Sequence, residues 1–320
     1  MGVSLFRKPF HTKKAKGIIE TPRDSGMKAI TTSWSEFLTA KLTDYAQLVK
    51  FRLSATVVFS AVIGYAVAAT AVFSWLDVAV LISGGFLITA AANALNQYIE
   101  RDTDKLMVRT ATRPLPAGRM TFIEAILAAG VMAVTGLTLI GLYFNEVGAL
   151  VGAIALLSYA FVYTPLKKAG PLAVFIGAIP GALPPVIGYV CVTGHLGAGA
   201  VVLFTIQFLW QFIHFWAIAW LADSDYAKAG FRMLPSPGGK DKASTMHIMA
   251  FALLLSASGI LPWLTGIAPA WTAVTLSAIG LVVFATSVKL FGDLSDRSAR
   301  RLLLTSFIYL PVVFVVIALS

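Results

Sequence analysis

Asn96, Glu100 and Asp104 stand four residues apart in a chain of 320 residues. If a helix runs through them, they project within an arc of about 80° and form one stripe of oxygen atoms. Amide and carboxylate oxygens suit Mg2+, which takes one or two carboxylates and completes its shell with water and substrate phosphates. Asp102 faces the other way on such a helix and ranks lower. A second acidic pair, Asp223 and Asp225, cannot share one helix face at i, i+2. Either a helix ends there or only one of them points inward; Asp225 is the primary candidate and Asp223 the secondary one.

Cations lie close to both acidic segments: Arg109, Arg113, Lys167, Lys168 and Arg232. Arg offers a planar fork to phosphate oxygens and Lys a point charge. Two acidic clusters repel each other unless a divalent ion sits between them. Acidic oxygens, cations and long apolar stretches together point to a substrate with a diphosphate head and a greasy tail. The plainer alternative is solvated, ion-paired helix ends beside basic residues that only set membrane orientation.

His214 is the histidine placed deepest in an apolar stretch. Ionisable groups in membranes are costly and usually face a cavity, so it is a candidate for contact with a substrate or a haem iron; a histidine satisfied by a neighbouring helix is the alternative. It shares a helix face with Asp225, roughly 16 Å away by helical rise. Tyr98, Tyr159, Tyr163, Phe215, Trp216 and Tyr226 offer π-faces to a carbocation, or serve as packing and interface aromatics. Tyr163 joins His214 as a candidate acceptor contact.

The elements that must position these residues are membrane helices. The chain is 58% hydrophobic and 12% charged, with mean hydropathy +0.82, against about 25% charged residues in soluble domains. Nine apolar stretches approach the 20 or so residues needed to span a bilayer: 53–74, 77–98, 122–142, 147–163, 170–192, 198–221, 245–266, 271–290 and 302–319. Of the 25 Lys and Arg, ten precede the first span. The rest fall in the loops after spans two, four and six and around the start of span nine. The intervening loops near Asp77, Asn145, His195 and Pro269 hold none. By the positive-inside rule the N-terminus is cytoplasmic and the C-terminus is on the far side.

Residues 1–32 read as a disordered basic cytoplasmic tail. Residues 33–52 read as an amphipathic helix in the interface, and 53–320 as the nine-helix domain. The loops at 99–121 and 222–244 echo each other, each with acidic residues and then an Arg-to-Pro segment, four spans apart, as an internal duplication would leave them. The net charge of +10 is explained by topology and anionic lipid, not by nucleic acid. The lone Cys191 excludes an intramolecular disulfide.

Four segments, in order, resemble the protohaem IX farnesyltransferases of the intramembrane prenyltransferase superfamily. They are 96–110 (NQYIERDTDKLMVRT) with Arg113-Pro114; 163–168 (YTPLKK); 177–188 (GAIPGALPPVIG); and 214–219 (HFWAIA) leading to Asp225-Tyr226 and 229–235 (AGFRMLP). The resemblance covers residues 45–320. It implies an all-α membrane protein, nine transmembrane helices around a central cavity, in a bacterial inner membrane. It implies farnesyl diphosphate held on Mg2+ by Asn96, Glu100, Asp104 and Asp225, and haem B as acceptor, giving haem O. It also implies haem A synthase or terminal-oxidase assembly factors as candidate partners. Glu100 stands where the family usually has Asp, and Arg232 where it often has Pro. The second acidic segment lacks the dense Asp cluster of the quinone-type relatives. Rival readings are a prenyltransferase with a quinone-precursor or chlorophyll-type acceptor, and a transporter. A transporter would place its charges near the midplane rather than at one interface.

Overall fold

A computed structural model describes residues 34–69 and 73–320; the tail expected over 1–32 lies outside them. Ala40–Ser320 forms one compact unit. Among the described residues all regular structure is helical. Helix α1 covers Trp34–Leu48, and among the described residues nine helices long and apolar enough to cross a membrane follow. They are α2 Phe51–Ala68, α3 Trp75–Ile99, α4 Phe122–Tyr143, α5 Glu146–Ala169, α6 Leu172–Thr193, α7 Ala198–Leu221, α8 Lys242–Leu264, α9 Ala270–Asp293 and α10 Asp296–Ala318.

Local sequence explains where these helices start. Side-chain oxygens of Ser74, Thr121, Asn145, Asp241 and Ser295 each accept a hydrogen bond from the backbone N–H three residues on. Each thereby satisfies one donor that a helix start leaves orphaned. At the Ser74 end, the hydroxyls of Tyr65 and Tyr143 both donate to Asp77, at 2.8 and 2.9 Å.

Three spans differ most from their sequence limits, the ninth by starting at Asp296 rather than near 302. The first helix ends at Ala68 rather than near 74. The fourth, expected over 147–163, runs on to Ala169 because its helix widens instead of stopping at Pro165: a π-helical stretch occupies Ser158–Tyr163. Thr164 Oγ1 donates to the Tyr159 carbonyl at 2.8 Å. Such widened turns recur at functional sites, and this one delivers Tyr163, Thr164 and Lys167 together.

Small residues hold the helices at close range, as suits a solvent without a hydrophobic effect between helices. A β-carbon at Gly64 would overlap the Pro185 carbonyl oxygen, and one at Gly188 that of Ala61. The α2–α6 crossing therefore admits no side chain at either position. Helix α6 contains Pro180, Pro184 and Pro185, each of which removes a backbone donor. Pro185 leaves the Gly181 carbonyl without its helical partner, and Gln207 Nε2 of α7 donates to it at 2.7 Å. Trp216, Trp220, Phe212, Tyr309 and Phe314 fill the core where α7 meets α10.

Candidate active site

Past the end of α3 the backbone keeps its helical stagger. The Glu100 N–H donates to the Asn96 carbonyl at 3.0 Å, and the Asp104 N–H to the Glu100 carbonyl at 2.7 Å. Asn96, Glu100 and Asp104 therefore share one face, and all three are buried, at 0%, 7% and 0% exposure. Asp102 turns outward and pairs with Lys105 at 3.1 Å and Arg101 at 3.7 Å.

Each of the three inward oxygen groups meets a cation. Lys50 Nζ donates to Asn96 Oδ1 at 2.7 Å. Lys167 Nζ lies 2.7 Å from Glu100 Oε1. Arg113 Nη1 donates to Asp104 Oδ2 at 2.6 Å. Asn96 Nδ2 also donates to Thr164 Oγ1 at 3.1 Å, tying α3 to the widened turn of α5. Lys167 lies 4.9 Å from the centre of the Tyr163 ring, whose neighbour Tyr159 is 5.3 Å away, centre to centre.

Asp225 belongs to the second acidic segment, but its oxygens are engaged elsewhere. Its carboxylate accepts from the N–H of Val108 at 3.1 Å and of Arg109 at 3.4 Å, and pairs with Lys228 at 3.4 Å. Burial alone would raise its pKa; the two backbone donors and Lys228 outweigh that and hold the carboxyl below its usual range. Asp225 thus clips the two echoing loops together. Asp223 is half-buried in the same short helix, Asp223–Lys228. Among the described residues no three His, Cys, Asp or Glu side chains gather closely enough to hold a metal. The first segment meets cations and the second meets amides, so the expected quartet is not drawn together.

Of the five phosphate-binding candidates, the structure brings Arg113 and Lys167 to the acidic stripe. Arg109 lies with its guanidinium carbon 5.7 Å from the Tyr226 ring centre. Lys168 and Arg232 are exposed, outside this set.

Helix α7 ends at Leu221 and a separate short helix begins at Asp223. The helical-rise argument linking His214 to Asp225 does not carry across that break. His214 packs against α10 instead: Nδ1 lies 3.0 Å from Ser306 Oγ, and the ring stacks on Trp210 at 4.6 Å. The Ser306 hydroxyl spends its one proton on the Leu303 carbonyl at 2.8 Å, so its oxygen must accept from His214 Nδ1–H. That fixes the tautomer and leaves Nε2 as the ring's lone pair, the arrangement a haem iron or an acidic proton would require.

Sequence reasoning missed Lys50 and Thr164. Burial lowers the Lys50 pKa, with Arg113 and Lys167 adding to the effect and Glu100 and Asp104 opposing it, to about 7. Its place in a basic amphipathic stretch hid it, because nothing in that pattern marks one lysine as turning inward. Thr164 sat in plain view inside the 163–168 segment, without a charge to draw attention.

A family model described as the UbiA prenyltransferase family matches residues 57–310. A relative from Cytophaga hutchinsonii, named protoheme IX farnesyltransferase, is 44% identical over 276 residues, spanning 86% of this chain and 96% of its own. The solved structure of digeranylgeranylglyceryl phosphate synthase is similar, with a TM-score of 0.71 at 20% identity, over 88% of this chain and 98% of that one. A UbiA homologue from Archaeoglobus fulgidus, solved with DMAPP and Mg2+, gives 0.62 at 16% identity over 87% and 100% of the two chains.

Proposed function

The chain belongs to the UbiA prenyltransferase family, and on that premise we infer that it transfers a farnesyl group from farnesyl diphosphate to a vinyl group of haem B, giving haem O and pyrophosphate. The observation that carries the chemical reading is the one-to-one pairing of buried Asn96, Glu100 and Asp104 with Lys50, Lys167 and Arg113. This charge set gathers where Lys50 and Arg113, from the segments before α2 and α4, meet the ends of α3 and α5. The acceptor follows from the relatives that share most of the chain's length.

The residues present fit magnesium. Asp104 Oδ1 is buried with no hydrogen-bond partner, and the donors are the hard oxygens this ion takes. Asn96, Glu100 and Asp104 would hold it, while Asp225 stays on the Val108 and Arg109 amides and Lys228. The Mg2+ and DMAPP found together in the Archaeoglobus homologue support the assignment. When bound, the ion supplies charge neutralisation of the diphosphate, making it a better leaving group.

The chain's own groups account for the rest. Arg113 and Lys167 present cationic donors to the departing diphosphate, and Arg109, Lys168 and Arg232 extend the positive field outward. As the carbon–oxygen bond breaks, the allylic carbon gains positive charge, which the Tyr163 and Tyr159 rings stabilise through their π-faces. The terminal vinyl carbon of haem B bonds to that carbon, the charge passes to the vinyl carbon beside the macrocycle, and water adds there and loses a proton. His214, with Nε2 bare, holds the acceptor in register for this attack. Purified protein given farnesyl diphosphate, haem B and Mg2+ is expected to release one pyrophosphate per haem, with the haem gaining the mass of farnesol. Pyrophosphate release without a heavier haem would refute the acceptor assignment.

The basic loops support a topology with this end of the bundle on the cytoplasmic side, α1 in the interface and the C-terminus on the far side; a bacterial inner membrane belongs to the same proposal. A reporter fused after Ser320 is expected to read non-cytoplasmic; a cytoplasmic signal would break this topology.

A further inference from the structure

Lys50 sits in a conformation that a lysine rarely adopts. Its φ is 48° and ψ 57°, and among the described residues only Leu294 is a second non-glycine at positive φ. Left-handed backbone costs an L-residue roughly 1–2 kcal/mol, and such strain persists where the surroundings over-determine it.

Here the surroundings are explicit. Gln97 Nε2 donates to the carbonyls of Gln47 and Leu48 at 2.8 and 2.7 Å. Asn93 Nδ2 donates to Ser54 Oγ at 3.1 Å, and Ser54 Oγ donates to the Val49 carbonyl at 2.7 Å. Two buried amides of α3, one turn apart, thus fix the backbone on both sides of Lys50. Asn96, between them, takes the Lys50 side chain. The device aims one ammonium at the acidic stripe.

A structural staple does not explain why the aimed group is a cation. Asn96 is neutral, so Lys50 finds no counter-charge in it, while Arg113 and Lys167 already pair with the two carboxylates. Burying a third cation beside them is costly unless an anion arrives to use it.

We propose that Lys50 is a ligand of the substrate diphosphate, and that Lys50, Lys167 and Arg113 pass together from Asn96, Glu100 and Asp104 to phosphate oxygens when the magnesium diphosphate binds. This rests on the prenyl-transfer reading above. It follows that metal and diphosphate bind as a unit. Metal alone must strip three oxygens from their cations and leave those cations unpaired, and diphosphate alone would confront two carboxylates. Together, every charge finds a partner.

The test is calorimetric titration of the full chain in lipid nanodiscs with MgCl2, with inorganic pyrophosphate in chelator, and with both. Wild type is expected to bind magnesium pyrophosphate at least about 10-fold more tightly than either component alone. Lys50→Asn, which tolerates left-handed backbone, is expected to weaken magnesium pyrophosphate by about 10- to 100-fold, the worth of one charge-assisted hydrogen bond. It should leave the affinity for MgCl2 alone unchanged or tighter, while Lys50→Arg keeps most of the pyrophosphate affinity. Wild-type affinity for magnesium pyrophosphate in Lys50→Asn would overturn the proposal and leave the prenyl-transfer reading standing. An equal loss in Lys50→Asn and Lys50→Arg, tracking a lowered melting temperature, would overturn it in favour of a staple. Failure of wild type to bind magnesium pyrophosphate would overturn the prenyl-transfer reading itself.

Discussion

Glu100→Gln and Asp104→Asn are each expected to lower farnesyl transfer by about 100- to 1,000-fold, the range seen when one electrostatic stabiliser is removed from a transition state. Both changes keep side-chain shape and delete one negative charge. The same charges balance Lys167 and Arg113, at 2.7 and 2.6 Å, so each single variant also leaves a mostly buried cation unpaired. Breaking such a pair costs about 3–5 kcal/mol, whereas removing both partners is often near neutral. The melting temperature should therefore fall in Glu100→Gln and recover in Glu100→Gln with Lys167→Met. Turnover should stay lost in both. Parallel measurement of melting temperature and initial rate separates the two roles of Glu100. Recovery of rate along with stability would show that the carboxylate serves the fold alone. Excess chelator should abolish the wild-type rate without moving the metal-free melting temperature, and a chelator-resistant rate would count against magnesium.

The second large effect is expected at His214. With Nδ1 committed to Ser306, the ring leaves Nε2 as its lone pair, and the proposed contact with haem, at the iron or at an acidic proton, depends on it. Misplacing an acceptor costs rate steeply, about 100-fold for displacements near 1 Å. His214→Ala is expected to cut haem O formation by about that factor and weaken haem binding, while the affinity for magnesium pyrophosphate stays unchanged. Ser306→Ala is the control. It removes the acceptor that holds the proton on Nδ1, so it should weaken haem binding less than His214→Ala and shift the haem absorption band. If His214 only ties α7 to α10, both variants will lower the melting temperature by similar amounts. Haem affinity will then stay at the wild-type value, and the acceptor role is wrong.

The span pattern was legible in the sequence because lipid imposes it: each helix must present about 20 apolar residues, and basic loops mark one side. The misplaced limits have local causes. The fourth span was expected to end at 163, but the widened turn at Ser158–Tyr163 carries α5 past Pro165 to Ala169. The stripe of Asn96, Glu100 and Asp104 was legible because fourfold spacing survives the slight break at Glu100.

What could not be read was the choice of partner. A count of charges says that cations lie near carboxylates, but not that Arg113 takes Asp104 while Lys168 and Arg232 stay outside. Lys50 escaped because its direction depends on a left-handed turn stapled by Asn93 and Gln97 from a helix more than 40 residues away. The helix break at Ala222 was half legible, since the span was expected to end at 221, but the His214–Asp225 face assumed that the helix ran on. It turned the expected His214–Asp225 face into two separate contacts, one with Ser306 and one with the Val108–Arg109 amides.

The central claim is that this site joins a farnesyl group to haem B. Mass spectrometry of haems extracted from cells that lack their own haem O activity tests it most directly, with the wild-type chain and Glu100→Gln expressed to equal membrane abundance. The account predicts a haem heavier than haem B by one farnesol with the wild-type chain, and little or none with Glu100→Gln. Haem B alone in the wild-type cells, with another prenylated product accumulating, would contradict it.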